Sequence, residues 1–260
     1  MGVKWVSGPL AIRKDRVTRF VFLNDVHVPD SIELAPIFEF IHDFKPDHVV
    51  LGGDILDMAS FSHWERDKPR RAREMPYPAE EYALCRDRFF TPLRRAAPKA
   101  TTTLIMGNHE ARAEHSIDAF PEGKGFWEVE RNVGDGVDQF AKQYDTVALG
   151  KLWFSHGDIL QGSSKTAADR MLNMYRRSMR SGHWHCLSEA SYTSPVDQAD
   201  RHTARVCGTL QKFQPGFMRH RPHAWIHAIT HGVVEPSGRF WDMTTRINDG
   251  VFYAEGRKYK

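Results

Sequence analysis

Cysteine and long hydrophobic runs are both scarce in this 260-residue sequence. Its three cysteines, Cys85, Cys186 and Cys207, are too few and too scattered for a disulfide framework. The longest apolar stretches, such as residues 49–53 and 104–107, are far shorter than the roughly 18 residues that a membrane-spanning helix needs. Residues 1–13 also lack the apolar core of a signal peptide. We therefore expect a soluble, cytoplasmic protein with no membrane partner.

Charge of one sign is not in large excess either. The net charge of +3 at pH 7 is too small to predict nucleic-acid binding by itself. With 41% hydrophobic and 27% charged residues, the composition is typical of a folded chain rather than a disordered one. A layered α/β fold of this length often forms one unit, so we expect a single domain over residues 1–260. The composition leaves the oligomeric state open.

Three segments repeat one pattern, in which an apolar strand ends in polar residues. The strands and the polar residues after them are Val17–Leu23 with Asp25 and His27, His48–Gly52 with Asp54, and Thr101–Met106 with Asn108. Helical periodicity separates them, over residues 32–44 and from about residue 79 to 95. This alternation predicts a parallel sheet with its functional groups at the carboxyl ends of the strands.

The second half of the chain is less regular. We expect a short strand at Trp153–Ser155, a helix from Ser163 or Ser164 to about Arg180, and β-rich structure beyond it. The candidate strands in that last part are Thr203–Leu210, Ala224–Val234 and Arg239–Arg246. Two stretches fit neither pattern, and we expect them to be long loops beside the site, at residues 58–78 and 111–145.

The polar residues at the strand ends are of the types that bind divalent metals. Carboxylates, imidazoles and an amide oxygen hold such ions, and a two-metal site also needs one carboxylate that both ions share. Each residue alone is a weak signal, but together they form an ordered set. The candidate metal ligands are Asp25, His27, Asp54, Asn108, His156, His183 and His185.

These residues fall into five ordered blocks that resemble the signature of the calcineurin-like metallophosphoesterases. The blocks are Asp25-x-His27, Gly53-Asp54-x-x-Asp57, Gly107-Asn108-His109-Glu110, His156-Gly157 and Gly182-His183-x-His185. The resemblance covers roughly residues 18 to 240. It implies a four-layer αββα sandwich, in which helices flank two mixed sheets and a dinuclear site lies at the strand ends.

The resemblance also implies roles for the individual residues. Asp25, His27 and His185 would hold one ion and Asn108, His156 and His183 the other, and Asp54 would bridge them. Mn²⁺ is the expected metal, with Ni²⁺, Fe²⁺ and Zn²⁺ as alternatives. His109 would assist the leaving group as a catalytic residue alongside Asp54. Asp57 and Glu110 would orient His27 and the turn at Asn108.

We expect a phosphodiesterase that works by in-line attack of a metal-bridging hydroxide on phosphorus. The arginine that often follows the second block in protein phosphatases is here Met58, which argues against that branch. The alternatives are a phosphomonoesterase acting on a nucleotide or small metabolite, a DNA nuclease, and a non-catalytic interaction module with the same fold. The substrate would be a phosphate ester, with nucleotides and nucleic acids among the options. Its expected contacts are Arg66, Arg70, Arg71 and Arg112.

A second histidine cluster lies near the C-terminus, at His220, His223, His227 and His231. Its spacing invites a second metal site. In a β-rich stretch, however, alternate histidines more often face solvent or pair with the backbone. We therefore expect no metal there, and the role of the cluster stays open.

Overall fold

Two six-stranded mixed sheets lie face to face in this protein, with helices on their outer faces. The computed structural model describes residues 3–62, 76–213 and 222–260, apart from the side chain of Asp135. Both sheets combine parallel and antiparallel pairs. The predicted α/β sandwich of two mixed sheets is thereby confirmed, while the single domain over residues 1–260 stays a prediction.

The strands are β1 Gly8–Pro9, β2 Thr18–Leu23, β3 His48–Leu51, β4 Thr101–Ile105, β5 Gln139–Ala141, β6 Val147–Leu149, β7 Leu152–Ser155, β8 Ser178–Ser181, β9 Leu187–Thr193, β10 Arg201–Cys207, β11 Ala228–Val234, β12 Phe240–Arg246, β13 Phe252–Ala254 and β14 Arg257–Tyr259. The first sheet has the order β12-β11-β2-β3-β4-β5 and the second the order β1-β6-β7-β8-β10-β9. Strands β13 and β14 form a separate hairpin.

The helices are α1 Ala35–Phe44, α2 Pro78–Cys85, α3 Thr91–Ala96, α4 Asn108–Ala119, α5 Val129–Asn132 and α6 Ala167–Tyr175. A π-helical turn at Arg86–Phe90 joins α2 to α3. Within the described residues, no helix is both long enough and apolar enough to cross a bilayer.

Strand β2 illustrates why the sheets stack. Phe20 and Phe22 face the second sheet, where both pack against Phe154 with ring centroids 5.5 and 5.2 Å apart. Val21 and Leu23 face the opposite way, into the core beneath the helices. Successive side chains of a strand point to opposite faces, so a strand that is apolar throughout can only be buried on both sides. The outer face of the second sheet is covered by α6.

The prediction of a long loop at residues 111–145 is wrong in large part. Helix α4 runs from Asn108 to Ala119, and α5 and β5 lie within the same stretch. The helical signal was hidden because the buried face of α4 carries small and polar residues, including Glu110 and Ser116. In the expected loop at 58–78, residues 59–61 form a 3₁₀ turn and 76–78 lead into α2, while residues 63–75 lie outside the described part.

The predicted helix to Arg180 is also too long. Helix α6 ends at Tyr175, Arg176 takes a left-handed conformation, and Ser178–Ser181 pairs as β8 between β7 and β10. Arg180 is 1% exposed, and its guanidinium forms an ion pair with Asp242, with Nε 2.6 Å from Oδ2. Buried strands are predicted from runs of apolar residues, and Arg180 interrupts such a run. The sequence therefore did not indicate this strand. It leads directly into the Gly182 block.

Candidate metal centre

The predicted metal ligands come together where five strands end. The strands contribute from both sheets, which places the site at one edge of the sandwich. Asp25 and His27 follow β2, Asp54 follows β3, Asn108 begins α4 after β4, His156 follows β7, and His183 and His185 follow β8. Parallel strands carry their carboxyl ends to the same edge of a sheet, so five distant segments meet in space.

The first group of donors is Asp25, His27 and His185. Their ligand atoms lie within 4.8 Å of one another. His185 Nε2 is 3.2 Å from Asp25 Oδ1, and His27 Nε2 is buried without a hydrogen-bond partner. A buried polar atom that is left unpaired is costly, and coordination of a cation would satisfy it. This group therefore fits one divalent ion.

The second group is Asp54, His156 and His183, whose ligand atoms also lie within 4.8 Å of one another. Asn108 joins it, because its Oδ1 is 3.0 Å from His156 Nε2 and 2.9 Å from His183 Nδ1. An amide oxygen beside two imidazole nitrogens and a carboxylate is a donor set suited to Mn²⁺, Fe²⁺ or Zn²⁺.

Asp54 lies between the two groups. Its Oδ2 is 3.3 Å from His156 Nε2 and 3.8 Å from His27 Nε2, one residue from each group. Burial raises the pKa of Asp54, but the imidazoles of His156, His109 and His27 outweigh burial and hold it well below the usual range. Asp54 in turn overcomes the effect of burial on His156 and raises the pKa of that imidazole to about 10. The centre of the site thus favours positive charge, which is what divalent ions carry.

Hydrogen bonds behind the donors decide which ring nitrogen faces the site. His27 Nδ1 donates to Asp57 Oδ1 at 3.0 Å, and His156 Nδ1 donates to the carbonyl oxygen of Gly52 at 2.8 Å. Each bond occupies Nδ1 and leaves Nε2 pointing inwards. Such partners set the tautomer and the ring orientation of metal-binding histidines. The geometry is that expected of Asp57 as an orienting residue.

Glu110 ties two strand ends together. Its buried carboxylate accepts four backbone N–H groups, from Gly107 at 2.9 Å, Asp54 at 2.8 Å, Ile55 at 2.7 Å and Leu56 at 3.1 Å. The expectation that Glu110 supports the turn at Asn108 therefore covers only part of its contacts. It also holds the turn after β3, which carries Asp54.

Left-handed backbone is concentrated at the site. Such a conformation costs a residue with a side chain of the order of 1–3 kcal/mol, and it persists only where surrounding contacts enforce it. Here it turns the chain sharply at the strand ends. The site residues with positive φ are Asp25, His27, Asp54, Met58, His183 and His185.

Two glycines allow the carboxylates to approach the backbone. A Cβ at Gly107 would collide with Asp54 Oδ1, and one at Gly182 would collide with Asp25 Oδ2. With glycine in place, Asp25 accepts the backbone N–H of His183 through both oxygens, at 3.0 and 2.8 Å. The glycines of the third and fifth blocks therefore serve close packing around the two buried aspartates.

His109 lies at the edge of the two groups. Its Nδ1 donates to the carbonyl oxygen of Asp57 at 2.5 Å, and its Nε2 lies 3.9 Å from Asp54 Oδ2. Burial lowers the pKa of His109, but Asp54 and Asp57 together raise it above the usual value. The Arg112 guanidinium lies alongside the ring, with Nη2 3.0 Å from Nε2 and Nη1 3.1 Å from the Asp57 carbonyl oxygen. Arg112 Nη1 is also 3.1 Å from His109 Nδ1, so the guanidinium lies close to both ring nitrogens.

Comparison with known proteins agrees with this arrangement. Residues 18–238 match the family described as calcineurin-like phosphoesterase. The chain belongs to the calcineurin-like phosphoesterase family. It is therefore related to phosphoester hydrolases in general, and its two donor groups agree with the dinuclear metal dependence typical of the family. The resemblance inferred from the five sequence blocks is confirmed.

Two phage proteins are similar to this chain in sequence. A gene 54 protein of Mycobacterium phage L5 is 29% identical over 182 residues, which is 64% of this chain and 69% of that protein. A gene 54 protein of Mycobacterium phage D29 is 33% identical over 96 residues, or 36% of each chain.

Among solved structures, Vps29 from Entamoeba histolytica is similar. The structure of a single mutant has a TM-score of 0.48 at 11% identity, and the match covers 94% of this chain and 100% of the Vps29 chain. The wild-type protein complexed with Zn²⁺ has a TM-score of 0.47 at 9% identity, covering 91% and 96% of the two chains.

Several other residues singled out in the sequence either lie outside the described part of the chain or have other partners. Arg66, Arg70 and Arg71 lie outside the described residues, as does His220. His227 donates to the Gln211 carbonyl oxygen at 2.8 Å, and His231 Nε2 is 3.0 Å from Glu255 Oε1. Within the described ranges, none of the groups of potential metal ligands includes His223, His227 or His231, and the role of the C-terminal cluster stays a prediction.

Sequence reasoning missed Glu81. This residue is fully buried on α2, and its Oε1 accepts the backbone N–H of Met58, which follows Asp57. Burial raises the pKa of Glu81 to about 8, with a further contribution from Asp57. The sequence did contain a signal for its burial, since Glu81 falls on the apolar face of α2, next to Tyr82 and one turn before Cys85.

We predict that Glu81 makes folding stability depend on pH. Its folded pKa of about 8 exceeds the ordinary value of 4.5, so the folded protein binds the extra proton between these limits. The contribution of Glu81 to the free energy of unfolding is fully present below pH 4.5 and is lost as the pH rises through about 8. Glu81→Gln keeps the bond to Met58 and should flatten this fall, as measured by urea unfolding at pH 5 and pH 8.5.

The matched control is Glu122→Gln, because Glu122 is exposed. It should leave the pH dependence of the unfolding free energy as in the parent protein. An identical fall in the parent and in Glu81→Gln would show that Glu81 is ionised throughout this range.

Proposed function

We propose that this chain hydrolyses phosphodiesters with the help of two divalent ions, Mn²⁺ foremost. The observation that carries the proposal is Asp54, a buried carboxylate facing two separate donor groups. Asp25, His27 and His185 would hold one ion and Asn108, His156 and His183 the other, and Asp54 would be available to both. When bound, the ions activate water as a nucleophile and neutralise the charge on the phosphate oxygens.

His109 is the proposed proton donor to the leaving oxygen. Its Nδ1 is paired with the Asp57 carbonyl oxygen, and its Nε2 lies 3.9 Å from Asp54 Oδ2, on the side of the donor groups. The carboxylates of Asp54 and Asp57 raise the pKa of His109, which favours the protonated ring. A general acid must have this combination of proton and position. Arg112, packed against the ring, would hold it in place as well as attract the anionic substrate.

The charge around the site favours a diester over a monoester. A monoester dianion calls for positioned cations beside the metals, and the position where phosphoprotein phosphatases place an arginine holds Met58, which is fully buried. Arg112 already directs N–H groups of Nη1 and Nη2 to the Asp57 carbonyl oxygen and His109, so fewer of its donors are left for phosphate oxygens. A diester carries one negative charge and needs fewer such partners. Phosphomonoesterase activity is the alternative that substrate comparison would expose.

We predict that diester cleavage exceeds monoester cleavage. The expected result is a larger kcat/KM for bis(p-nitrophenyl) phosphate than for p-nitrophenyl phosphate, on metal-stripped protein reloaded with Mn²⁺, Ni²⁺, Fe²⁺ or Zn²⁺ in turn. Both activities should vanish in Asp54→Ala, which rules out a contaminating phosphatase. Faster turnover of the monoester would identify a monoesterase instead.

Replacing Asp54 should remove metal and activity together, because one carboxylate serves both donor groups. We expect Asp54→Ala and Asp54→Asn to retain fewer than two ions per chain by elemental analysis and to lose turnover. Asp118→Asn, an exposed change on α4, is the control and should keep both. Two tightly held ions in a fully active Asp54→Ala protein would disprove the shared role.

His109→Asn should keep both ions and slow turnover of esters with poor leaving groups by roughly 10² to 10⁴, the usual contribution of a general acid. The loss should shrink with p-nitrophenolate, which leaves without protonation. His115→Asn, an exposed histidine on the same helix, is the control. Equal losses with good and poor leaving groups would mean that His109 acts in binding rather than in proton transfer.

A further inference from the structure

Three aromatic side chains form a row that starts beside the first donor group, and we call Phe213, His223 and Trp225 the aromatic wall. The Trp225 ring centroid is 4.4 Å from that of His185. His223 follows at 5.0 Å from Trp225, and Phe213 at 5.3 Å from His223. The wall is thus a continuous row of rings that begins at the candidate metal centre.

Hydrogen bonds attach the wall to the metal centre. Ile226, next to Trp225, donates its backbone N–H to the His185 carbonyl oxygen at 2.8 Å. On the other side, Leu210 donates to the Asp25 carbonyl oxygen at 2.9 Å, and the same segment continues to Phe213. One face of Phe213 is stacked on His227, with centroids 3.7 Å apart and planes 7° apart. The rings therefore keep a defined position relative to the donors.

These three rings are not among the buried residues of the hydrophobic core. Phe213 is 38% exposed, and Trp225 and His223 are partly exposed. The wall also has a polar edge. His223 Nδ1 accepts the backbone N–H of Trp225 at 3.2 Å, so the neutral ring carries its proton on Nε2 and can donate it. Planar apolar faces together with a donor suit a planar ring that bears hydrogen-bond acceptors.

We propose that the aromatic wall binds the base of a nucleotide diester whose phosphate lies at the metal centre. This inference rests on the proposed diesterase function and narrows its substrate class. Stacking on aromatic side chains accepts every base, because each base has a π-face. A base on the wall would place its sugar and phosphate on the His185 side of the centre, where the row of rings begins.

The test compares two diesters with the same leaving group, thymidine 5′-(p-nitrophenyl) phosphate and methyl p-nitrophenyl phosphate. The parent protein should prefer the thymidine ester. In Trp225→Ala the ratio of the two kcat/KM values should fall about tenfold, the order expected for loss of one base–aromatic stack. Trp225→Phe should restore most of the ratio. Because both esters share any disturbance of His185, their ratio isolates recognition of the base.

The matched control is Trp241→Ala. Trp241 is 55% exposed and pairs with Val233, which lies opposite Arg19 near the start of β2 and so far from the strand ends that form the site. It should leave the ratio unchanged. An unchanged ratio in Trp225→Ala would overturn the inference even if both diesters are cleaved.

A binding measurement separates this inference from the proposed activity. Dithymidine linked by a methylphosphonate keeps both bases and resists hydrolysis, so its affinity can be measured by calorimetry whether or not the protein cleaves diesters. We expect its Kd to rise about tenfold in Trp225→Ala and little in Trp225→Phe. Equal affinity of the parent and Trp225→Ala would refute the wall as a base site. Cleavage of neither ester, with base binding intact, would refute the diesterase alone.

Discussion

The site depends first on the buried carboxylate of Glu110. Four backbone N–H groups converge on its two oxygens, three from the turn after β3 and one from the turn after β4. Burial raises the pKa of Glu110, and the charge of Asp54 raises it further, although the N–H groups act in the opposite direction. Removing these bonds would leave several buried donors unpaired, which costs more than the bonds themselves contribute. Two neighbouring strands thus present Asp54 and Asn108 in a set relation to each other.

Around this constraint the protein accumulates several energetically unfavourable features. Aspartates 25 and 54 are buried, His27 Nε2 has no partner, and left-handed residues crowd the strand ends. Strain of this kind is retained where neighbouring contacts enforce it and where function uses it. The stacked sheets provide that enforcement, because Phe20, Phe22 and Phe154 hold the strands that carry the donors.

The same edge of the sandwich combines three kinds of chemistry. Imidazoles and carboxylates form the centre, His109 with Arg112 lies on one side, and the aromatic wall begins at His185 on another. In the proposed function, each kind would meet a different part of a nucleotide diester, namely the phosphate, the leaving oxygen and the base. The proposed function and the proposed base site are therefore linked through geometry, but they rest on different side chains and can fail separately.

The sequence alone determined the family, the layered α/β class and the seven candidate donors, because the donors fall in five ordered blocks that match the family signature. These are local signals that need no knowledge of neighbours. It could not determine helix α4 or strand β8, since their buried positions hold Glu110 and Arg180, whose partners are distant in the chain. Nor could it find Glu81 beneath Met58, or Trp225 beside His185. Only the tertiary structure decided these, because burial of a charge and alignment of rings depend on which segments the fold brings together.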